Sequence, residues 1–199
     1  MKTAEPSGFS SQTVADFCET VAARTSAPGG GSVAAIVTAF AASLTAQAAR
    51  FATEQWEDAA GAVAQAEALR ARVLPLADED ARAYESFLLA RRMSEEFDPQ
   101  VRDAAIGEAL SRAADVPLAI AEAALDVASL AAELVEHGNP NLRGDAATAA
   151  LLAEAAVRAT ANLVAVNLAT REGDERIERA RELVEMSRRM SRRVLEPEP

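Results

Sequence analysis

Apolar positions recur along this chain three and four residues apart, the spacing of one face of an α-helix, and strand-like alternation is almost absent. The first such stretch places four apolar residues on one face: Val14, Phe17, Cys18 and Val21. We expect its N-cap at Ser10 or Ser11 and its end near Arg24. The loop "TSAPGGGS" follows, since Pro and Gly do not continue a helix, and Ser32 is the expected N-cap of a second helix that runs to about Phe51.

Proline residues punctuate the helices that come next. A third helix is expected over roughly residues 55–92, with a kink at Pro75, because proline lacks a backbone donor. Asp98 and Pro99 together form the next start signal, an N-cap followed by proline at the first helical position. The fourth helix should kink at Pro117 and end at "HGNPN".

The last two predicted helices begin at acidic residues. Asp145 or a neighbour should cap the fifth helix, which runs to about Thr170, and Asp174 should cap the sixth. Short loops between long helices favour antiparallel neighbours. The pattern therefore predicts an all-α protein, an elongated antiparallel bundle of about six helices, two of them kinked, with residues 1–199 in a single domain.

Composition adds constraints on the core, the compartment and the partners. Half of the 199 residues are apolar but only 4% are aromatic, so closely packed helices must fill the core. The net charge of −11 argues against a nucleic-acid partner. One cysteine and no signal-peptide pattern indicate a cytoplasmic protein. Residues 33–52 are long enough to span a bilayer, but they are mostly alanine with interspersed polar residues, so we expect a helix buried in protein and no membrane partner.

The glycine-rich loop allows two interpretations. Pro28, Gly29, Gly30, Gly31 and Ser32 lie where backbone N–H groups at a helix start could cradle an anion or ligand. The same glycines could instead form a tight turn that lets two helices nearly touch, with no ligand. The known phosphate-binding motifs do not fit, because no lysine precedes Ser32 and no strand precedes the loop.

Two other clusters carry candidate chemistry. Asp78, Glu79 and Asp80 are adjacent, with Tyr84 one turn beyond Asp80, so crowding could raise a carboxyl pKa toward neutrality, or the cluster could be a solvated acidic face. The connection "HGNPNLRGD" combines most of the remaining candidates: His137, Asn139, Arg143 and Asp145. His137 fits a cation at a helix C-terminus. One histidine cannot supply a di-iron helical site, so no metal is expected.

A polar pair interrupts the predicted fifth helix. Asn162 and Asn167 lie in the otherwise apolar stretch "ATANLVAVNLAT", where a buried amide needs hydrogen-bond partners. Their amides could join helices or contact a ligand, and the sequence leaves both open.

Three separated segments, together with the Asn162 stretch, resemble one known family. "SAPGGGSVAA", "DEDARAY" and "GNPNLRGD", followed by "NLVAVNL", are similar in order and kind to the cyclodeaminase/cyclohydrolase family of folate one-carbon enzymes. The resemblance implies a helical homodimer with a tetrahydrofolate derivative as its small-molecule substrate. Family members cyclise 5-formimino-tetrahydrofolate with loss of ammonia or open 5,10-methenyl-tetrahydrofolate with water.

The resemblance also implies roles for single residues. Asp80 matches the family's active-site aspartate and would be the general acid/base, while Asp145 would position the substrate or bind its pterin. Five loop residues and three others would contact substrate: Pro28, Gly29, Gly30, Gly31, Ser32, Tyr84, Asn139 and Arg143. No metal or organic cofactor is implied. The chain departs from the family pattern at Gly144, where serine is usual, and at Arg91 and Arg92, near the position of a usual lysine. A non-catalytic dimer that binds a small anion or a protein is the alternative.

Overall fold

Seven α-helices and two single-turn 3₁₀ helices make up the described part of the chain. The structure, a computed structural model, describes residues 8–92, 97–171 and 173–196. The helices are α1 (Val14–Ala22), α2 (Gly30–Arg50), α3 (Ala59–Val73), α4 (Leu76–Arg91), α5 (Pro99–His137), α6 (Arg143–Asn167) and α7 (Glu175–Leu195), and the 3₁₀ turns are Phe9–Ser11 and Pro140–Leu142. Since these described residues contain no strand, the all-α prediction is confirmed.

Helix α2 forms the centre of the bundle. It packs against α3, α4, α5 and α6, and most of its buried residues are alanines. The hydroxyls of Thr38 and Thr45 are also buried, and each donates to the carbonyl oxygen four residues earlier, at 2.8 and 2.9 Å. Alanine at the contacts lets helix backbones approach closely, which explains how a chain with few aromatics fills its core. At 39 residues, α5 spans about 58 Å and gives the bundle its elongated shape.

The predicted N-caps at the first two helices are wrong. Ser10 and Ser11 belong to a 3₁₀ turn, and Thr13 caps α1 by accepting from the Asp16 amide at 3.1 Å. Ser32 lies within the first turn of α2, whose N-cap is Gly29. The glycines therefore adopt helical geometry, which frees the Ser32 side chain for partners outside α2.

The two prolines act differently on their helices. At Pro75 the predicted third helix is divided, with α3 ending at Val73 and α4 beginning at Leu76, because no N–H is available for the Ala71 carbonyl. This division accounts for seven helices where about six were predicted. By contrast, α5 continues through Pro117.

The later helix starts follow the sequence signals closely. Asp98 caps α5 with Pro99 in the first turn, and Asp174 caps α7 by accepting from the Arg176 amide, so both predictions are confirmed. Helix α6 begins at Arg143 after Leu142, and Asp145 lies inside its first turn. A carboxylate there is stabilised by the helix dipole, so it supports the helix start without capping it.

Two helices pass a length-and-hydropathy test for membrane spans. They are Gly30–Arg50 and the stretch Pro140–Asn167, and the first is mostly buried inside the bundle. A core helix of a globular protein passes the same test, so this is weak evidence for a membrane. Both the absence of a membrane partner and the single-domain organisation stay predictions.

Candidate functional site

The carboxylate of Asp80, on α4, meets the first turn of α2. Its Oδ2 accepts a hydrogen bond from the Ser32 backbone N–H at 2.9 Å and lies 3.1 Å from the Ser32 hydroxyl. That hydroxyl also lies 2.8 Å from the Ala77 carbonyl oxygen, so its single proton can be donated to either acceptor. The start of α2 thus does receive an acidic group, as expected of a helix N-terminus, but that group is the protein's own Asp80 carboxyl.

Gly31 makes this contact possible. A Cβ atom built at Gly31 would overlap the Asp80 carboxyl group. At Gly30 a Cβ would reach only ordinary contact with Leu163 Cδ1, at 3.8 Å, and at Gly29 it would meet nothing within 4 Å. The close-approach interpretation of the glycines therefore holds at Gly31, whereas Gly29 faces open space and Gly30 has room for a methyl group.

Burial sets the acidity of Asp80. Removal from water raises the pKa of this carboxyl group above its ordinary value, and the two hydrogen bonds from Ser32 oppose the shift without cancelling it. A carboxyl group with a raised pKa can both take up and release a proton closer to neutral pH than a solvated aspartate. The direction of this shift is the one that favours a general acid/base.

A cavity of about 450 Å³ opens beside this carboxylate. Its polar and loop lining comprises Ser26, Ala27, Gly29, Gly30, Gly31, Asp80, Tyr84 and Asn167, and its apolar lining comprises Ala81, Phe87, Leu110, Ala113, Pro117, Leu163 and Val166. The rings of Tyr84 and Phe87 lie 5.9 Å apart. The volume falls within the range of small-molecule sites, and apolar walls with few polar groups suit a flat heterocycle.

Asn167 enters the cavity because of a proline on the neighbouring helix. Pro117 has no N–H, so the carbonyl of Ala113, four residues earlier on α5, lacks its usual helical donor. The side-chain Nδ2 of Asn167, on α6, donates to that carbonyl oxygen at 2.8 Å. This hydrogen bond explains both how α5 continues through Pro117 and why a half-buried amide is stable in α6.

The adjacent acidic residues separate in the structure. Asp78 accepts from the backbone N–H of Phe9 at 2.9 Å, so it holds the 3₁₀ turn at the start of the described chain. Glu79 is exposed. Of these three residues, only Asp80 lines the cavity. Its pKa is raised by burial, so it belongs neither to a solvated acidic face nor to a cluster in which neighbouring carboxylates raise the pKa.

The "GNPNLRGD" residues lie at the other end of α2. Asn139 donates to the Phe51 carbonyl oxygen at 3.1 Å, and Arg143 donates to that of Val194 at 3.3 Å. Asp145 is exposed. The 21 residues of α2 separate this end from Gly30 by about 30 Å. Within one chain, these three residues do not reach the Asp80 cavity.

The remaining candidates divide between the two ends. Pro28 is buried and lies outside the lining of the cavity, whereas Tyr84 lines the cavity and is 43% exposed. His137 is the last residue of α5, with its Nε2 3.6 Å from Glu133, so its predicted position at a helix C-terminus is confirmed. Phe87 and Leu163 line the cavity but carry no sequence signal that separates them from core residues.

Known proteins are similar to this chain over most of its length. Residues 13–186 match the sequence profile of formiminotransferase-cyclodeaminase. The chain is 32% identical over 164 residues to the methenyltetrahydrofolate cyclohydrolase of Methylorubrum extorquens, an alignment that covers 78% of this chain and 79% of that protein. It is 33% identical over 160 residues to the formimidoyltransferase-cyclodeaminase of Sus scrofa, covering 76% of this chain and 30% of the pig protein.

A solved structure matches the whole bundle. The crystal structure of formiminotetrahydrofolate cyclodeaminase from Thermotoga maritima superposes with a TM-score of 0.80 and 27% sequence identity. The match covers 94% of this chain and 96% of that chain. The similarity therefore extends over the helices that form the cavity and over those at the opposite end.

Proposed function

This chain belongs to the formiminotransferase-cyclodeaminase family, and from that premise we propose that it is a folate one-carbon enzyme. The proposed reaction is the opening of 5,10-methenyl-tetrahydrofolate by water to 10-formyl-tetrahydrofolate, or the cyclisation of 5-formimino-tetrahydrofolate with loss of ammonia. The observation that carries the proposal is the raised pKa of Asp80 in a cavity that could hold a flat heterocycle.

For the hydrolysis, Asp80 would move one proton. As a carboxylate it takes a proton from the attacking water while the oxygen bonds to the methenyl carbon. When the bond from this carbon to N5 breaks, Asp80 returns that proton to N5, and the remaining hydroxyl proton leaves as the formyl group forms. The charge of the carboxylate also stabilises the cationic carbon between N5 and N10 before water adds.

For the cyclisation, the same carboxyl group would work in the other order. N10 bonds to the formimino carbon and loses its proton to Asp80, which passes it to the departing nitrogen. A further proton from solvent completes ammonia and leaves the methenyl cation. Either direction requires Asp80 to alternate between charged and neutral forms, which its raised pKa favours.

Ser32 would support both forms of Asp80. With Asp80 charged, the Ser32 hydroxyl donates to the carboxylate, and with Asp80 protonated it accepts from the carboxyl group while donating to Ala77. We propose no metal or organic cofactor beyond the folate substrate, because proton transfer and charge stabilisation account for both reactions.

We further propose a cytoplasmic homodimer formed through the uncovered face of α2. Val37, Phe40 and Leu44 lie on one stripe of this helix, and Phe51 directly follows its last residue. Phe40 and Phe51 are 49% and 59% exposed, and Val37 and Leu44 are half-buried. If two copies pair with their α2 helices antiparallel, the end that carries Asn139, Arg143 and Asp145 in one copy lies beside the Asp80 cavity of the other. A dimer would then let Asn139, Arg143 and Asp145 of one copy contact a substrate held at Asp80 of the other copy.

The activity is tested by turnover of both substrates. We expect purified protein to remove the near-ultraviolet absorbance of methenyl-tetrahydrofolate faster than buffer does, or to release ammonia from formimino-tetrahydrofolate. Asp80→Asn should lower kcat by a factor on the order of 10²–10⁴ while keeping the melting temperature within a few degrees.

A matched control is available on α5. Burial also raises the pKa of Asp126, but this residue lies outside the cavity, so Asp126→Asn should keep its turnover. Unchanged turnover in Asp80→Asn would remove its proposed role. If the wild-type protein binds a folate but converts neither substrate, the non-catalytic alternative is correct.

A further inference from the structure

The carboxamide of Asn167 has hydrogen-bonding capacity that the bundle does not use. One N–H of Nδ2 is donated to the Ala113 carbonyl oxygen at 2.8 Å. An asparagine side chain has a second N–H and an acceptor oxygen. Within the described part of the chain, that contact with Ala113 is the side chain's single hydrogen bond to protein, and the residue lines the cavity.

The Ala113 contact also fixes the direction of this amide. A carbonyl oxygen only accepts, so Nδ2 must face α5, and the side chain cannot reverse its oxygen and nitrogen without losing the bond. The free donor and acceptor of Asn167 are therefore held in one orientation beside the cavity. A fixed donor and acceptor recognise a ligand edge that presents the complementary pair.

We infer that Asn167 binds the amide edge of the substrate's pyrimidinone ring and thereby places the one-carbon unit at Asp80, an inference that rests on the proposed function. This ring edge presents adjacent N–H and C=O groups. Asp80 projects from α4 and Asn167 from α6, so a ligand that contacts both must extend between two walls of the cavity. In the bicyclic pterin, the amide edge belongs to one ring and N5 to the other, as that placement requires.

The primary test compares two asparagines on the same helix. Asn167→Ala should raise KM by about tenfold with a smaller change in kcat, and should weaken binding of 5-formyl-tetrahydrofolate, measured by calorimetry, by about the same factor. Asn162 is exposed and lies outside the cavity lining, so Asn162→Ala should leave both values unchanged. Unaltered KM and binding in Asn167→Ala would overturn the inference.

A second test uses the Pro117→Ala variant as the starting protein. It separates substrate binding by Asn167 from support of α5 by Asn167. Pro117→Ala restores an N–H at position 117 that can bond to Ala113, so the amide of Asn167 is no longer needed there. If Asn167 binds substrate, adding Asn167→Ala to Pro117→Ala still weakens 5-formyl-tetrahydrofolate binding by about tenfold. If Asn167 only supports α5, the added change has no effect on binding, and the inference is wrong.

The same measurements distinguish this inference from the proposed function. Wild-type protein that binds no folate and converts neither substrate overturns both. Wild-type protein that binds 5-formyl-tetrahydrofolate, with an Asn167→Ala variant that binds it equally well, overturns the role of Asn167 alone. Circular dichroism of each variant establishes that the helices are retained.

Discussion

At the residue scale, the contact between Asp80 and the first turn of α2 combines three contributions. Gly31 leaves the space that the carboxyl group occupies, and burial raises the carboxyl pKa. Ser32 donates its backbone N–H to Asp80 Oδ2, and the Ser32 hydroxyl lies 3.1 Å from the same oxygen. The position and the acidity of Asp80 depend on all three contributions together. Changes at single residues should therefore affect activity more than stability.

Gly31→Ala tests the close approach. The added methyl group should push the Asp80 side chain away from Ser32 and lower kcat by about 100-fold or more, since the general acid/base would be misplaced. Replacing glycine also reduces the conformational freedom of the unfolded chain, which should offset part of the lost contact in the free energy of unfolding.

A glycine on another helix provides the control for that variant. A Cβ atom at Gly61 in α3 meets nothing within 4 Å, so Gly61→Ala should stabilise the protein slightly and leave kcat unchanged. Steady-state kinetics and urea unfolding measure both variants. Full activity in Gly31→Ala would show that Asp80 does not need its present position.

The raised pKa of Asp80 also predicts a pH dependence of stability. As pH rises from the ordinary aspartate pKa toward the raised value, the unfolded chain loses this proton while the folded chain retains it, so folded-state stability falls over that window. Asp80→Asn has no such proton. Urea unfolding between pH 4 and 8 should show wild type losing stability relative to Asp80→Asn as pH rises, then a constant difference above the raised pKa.

At the element scale, helix ends determine where side chains project. The glycines begin α2 two residues before Ser32, which places that side chain inside the first turn, and Pro75 separates α3 from α4, so that Asp80 lies in the second turn of a new helix. Pro117 has the opposite outcome, because Asn167 supplies the missing donor from α6. The same residue type therefore ends one helix and continues another, depending on a partner from elsewhere in the chain.

The start of α7 gives a prediction at this scale. Asp174 caps α7 and pairs with Arg176, which also donates to the Ser111 carbonyl on α5 at 2.9 Å, and the pairing lowers the pKa of Asp174 to about 2. Asp174→Ala should lower the melting temperature at pH 7 through loss of the cap, and turnover should change little. The stabilisation is present above the ordinary aspartate pKa and is lost as pH falls toward 2.

The control for that variant lies next to it. Glu175→Ala removes an exposed neighbour in the first turn and should have a smaller effect on the melting temperature. Equal thermal melting of Asp174→Ala and wild type would show that α7 does not depend on this cap.

At the scale of the whole molecule, the distance along α2 is the central fact. Residues that resemble one family's site lie at both ends of a helix about 30 Å long, and Asn139, Arg143 and Asp145 are outside the lining of the Asp80 cavity. The apolar stripe left uncovered on α2 offers a surface through which a second copy could bring the ends together. Activity and assembly should then be lost together.

Phe40→Glu tests that coupling. A charged side chain in an apolar dimer interface is costly to desolvate, so light scattering should show a shift from dimer to monomer and turnover should fall. Val101 on α5 is 53% exposed, close to the value for Phe40, and Val101→Glu should change neither mass nor activity. A wild-type monomer with full activity would contradict the dimer proposal.

The sequence by itself determined the features that depend on neighbouring residues. Periodic apolar positions predicted an all-helical chain, and Asp98 and Asp174 marked helix starts correctly because capping is a contact within a few residues. Motif order predicted the family, which the comparisons confirm. Ser10, Ser11 and Ser32 are not N-caps, because a 3₁₀ turn and helical glycines shift a helix start without changing the local composition.

Only the tertiary structure decided which of these residues meet. Asp80 and Ser32 are 48 positions apart, and Asn167 and Ala113 are 54 apart, so neither contact follows from local spacing. Asp78 and Asp80 are near neighbours in sequence, yet one holds a 3₁₀ turn and the other lines the cavity. The physical reason is that periodicity fixes which face of a helix is buried, whereas the packing of whole helices fixes which ends adjoin and how far each carboxylate lies from water.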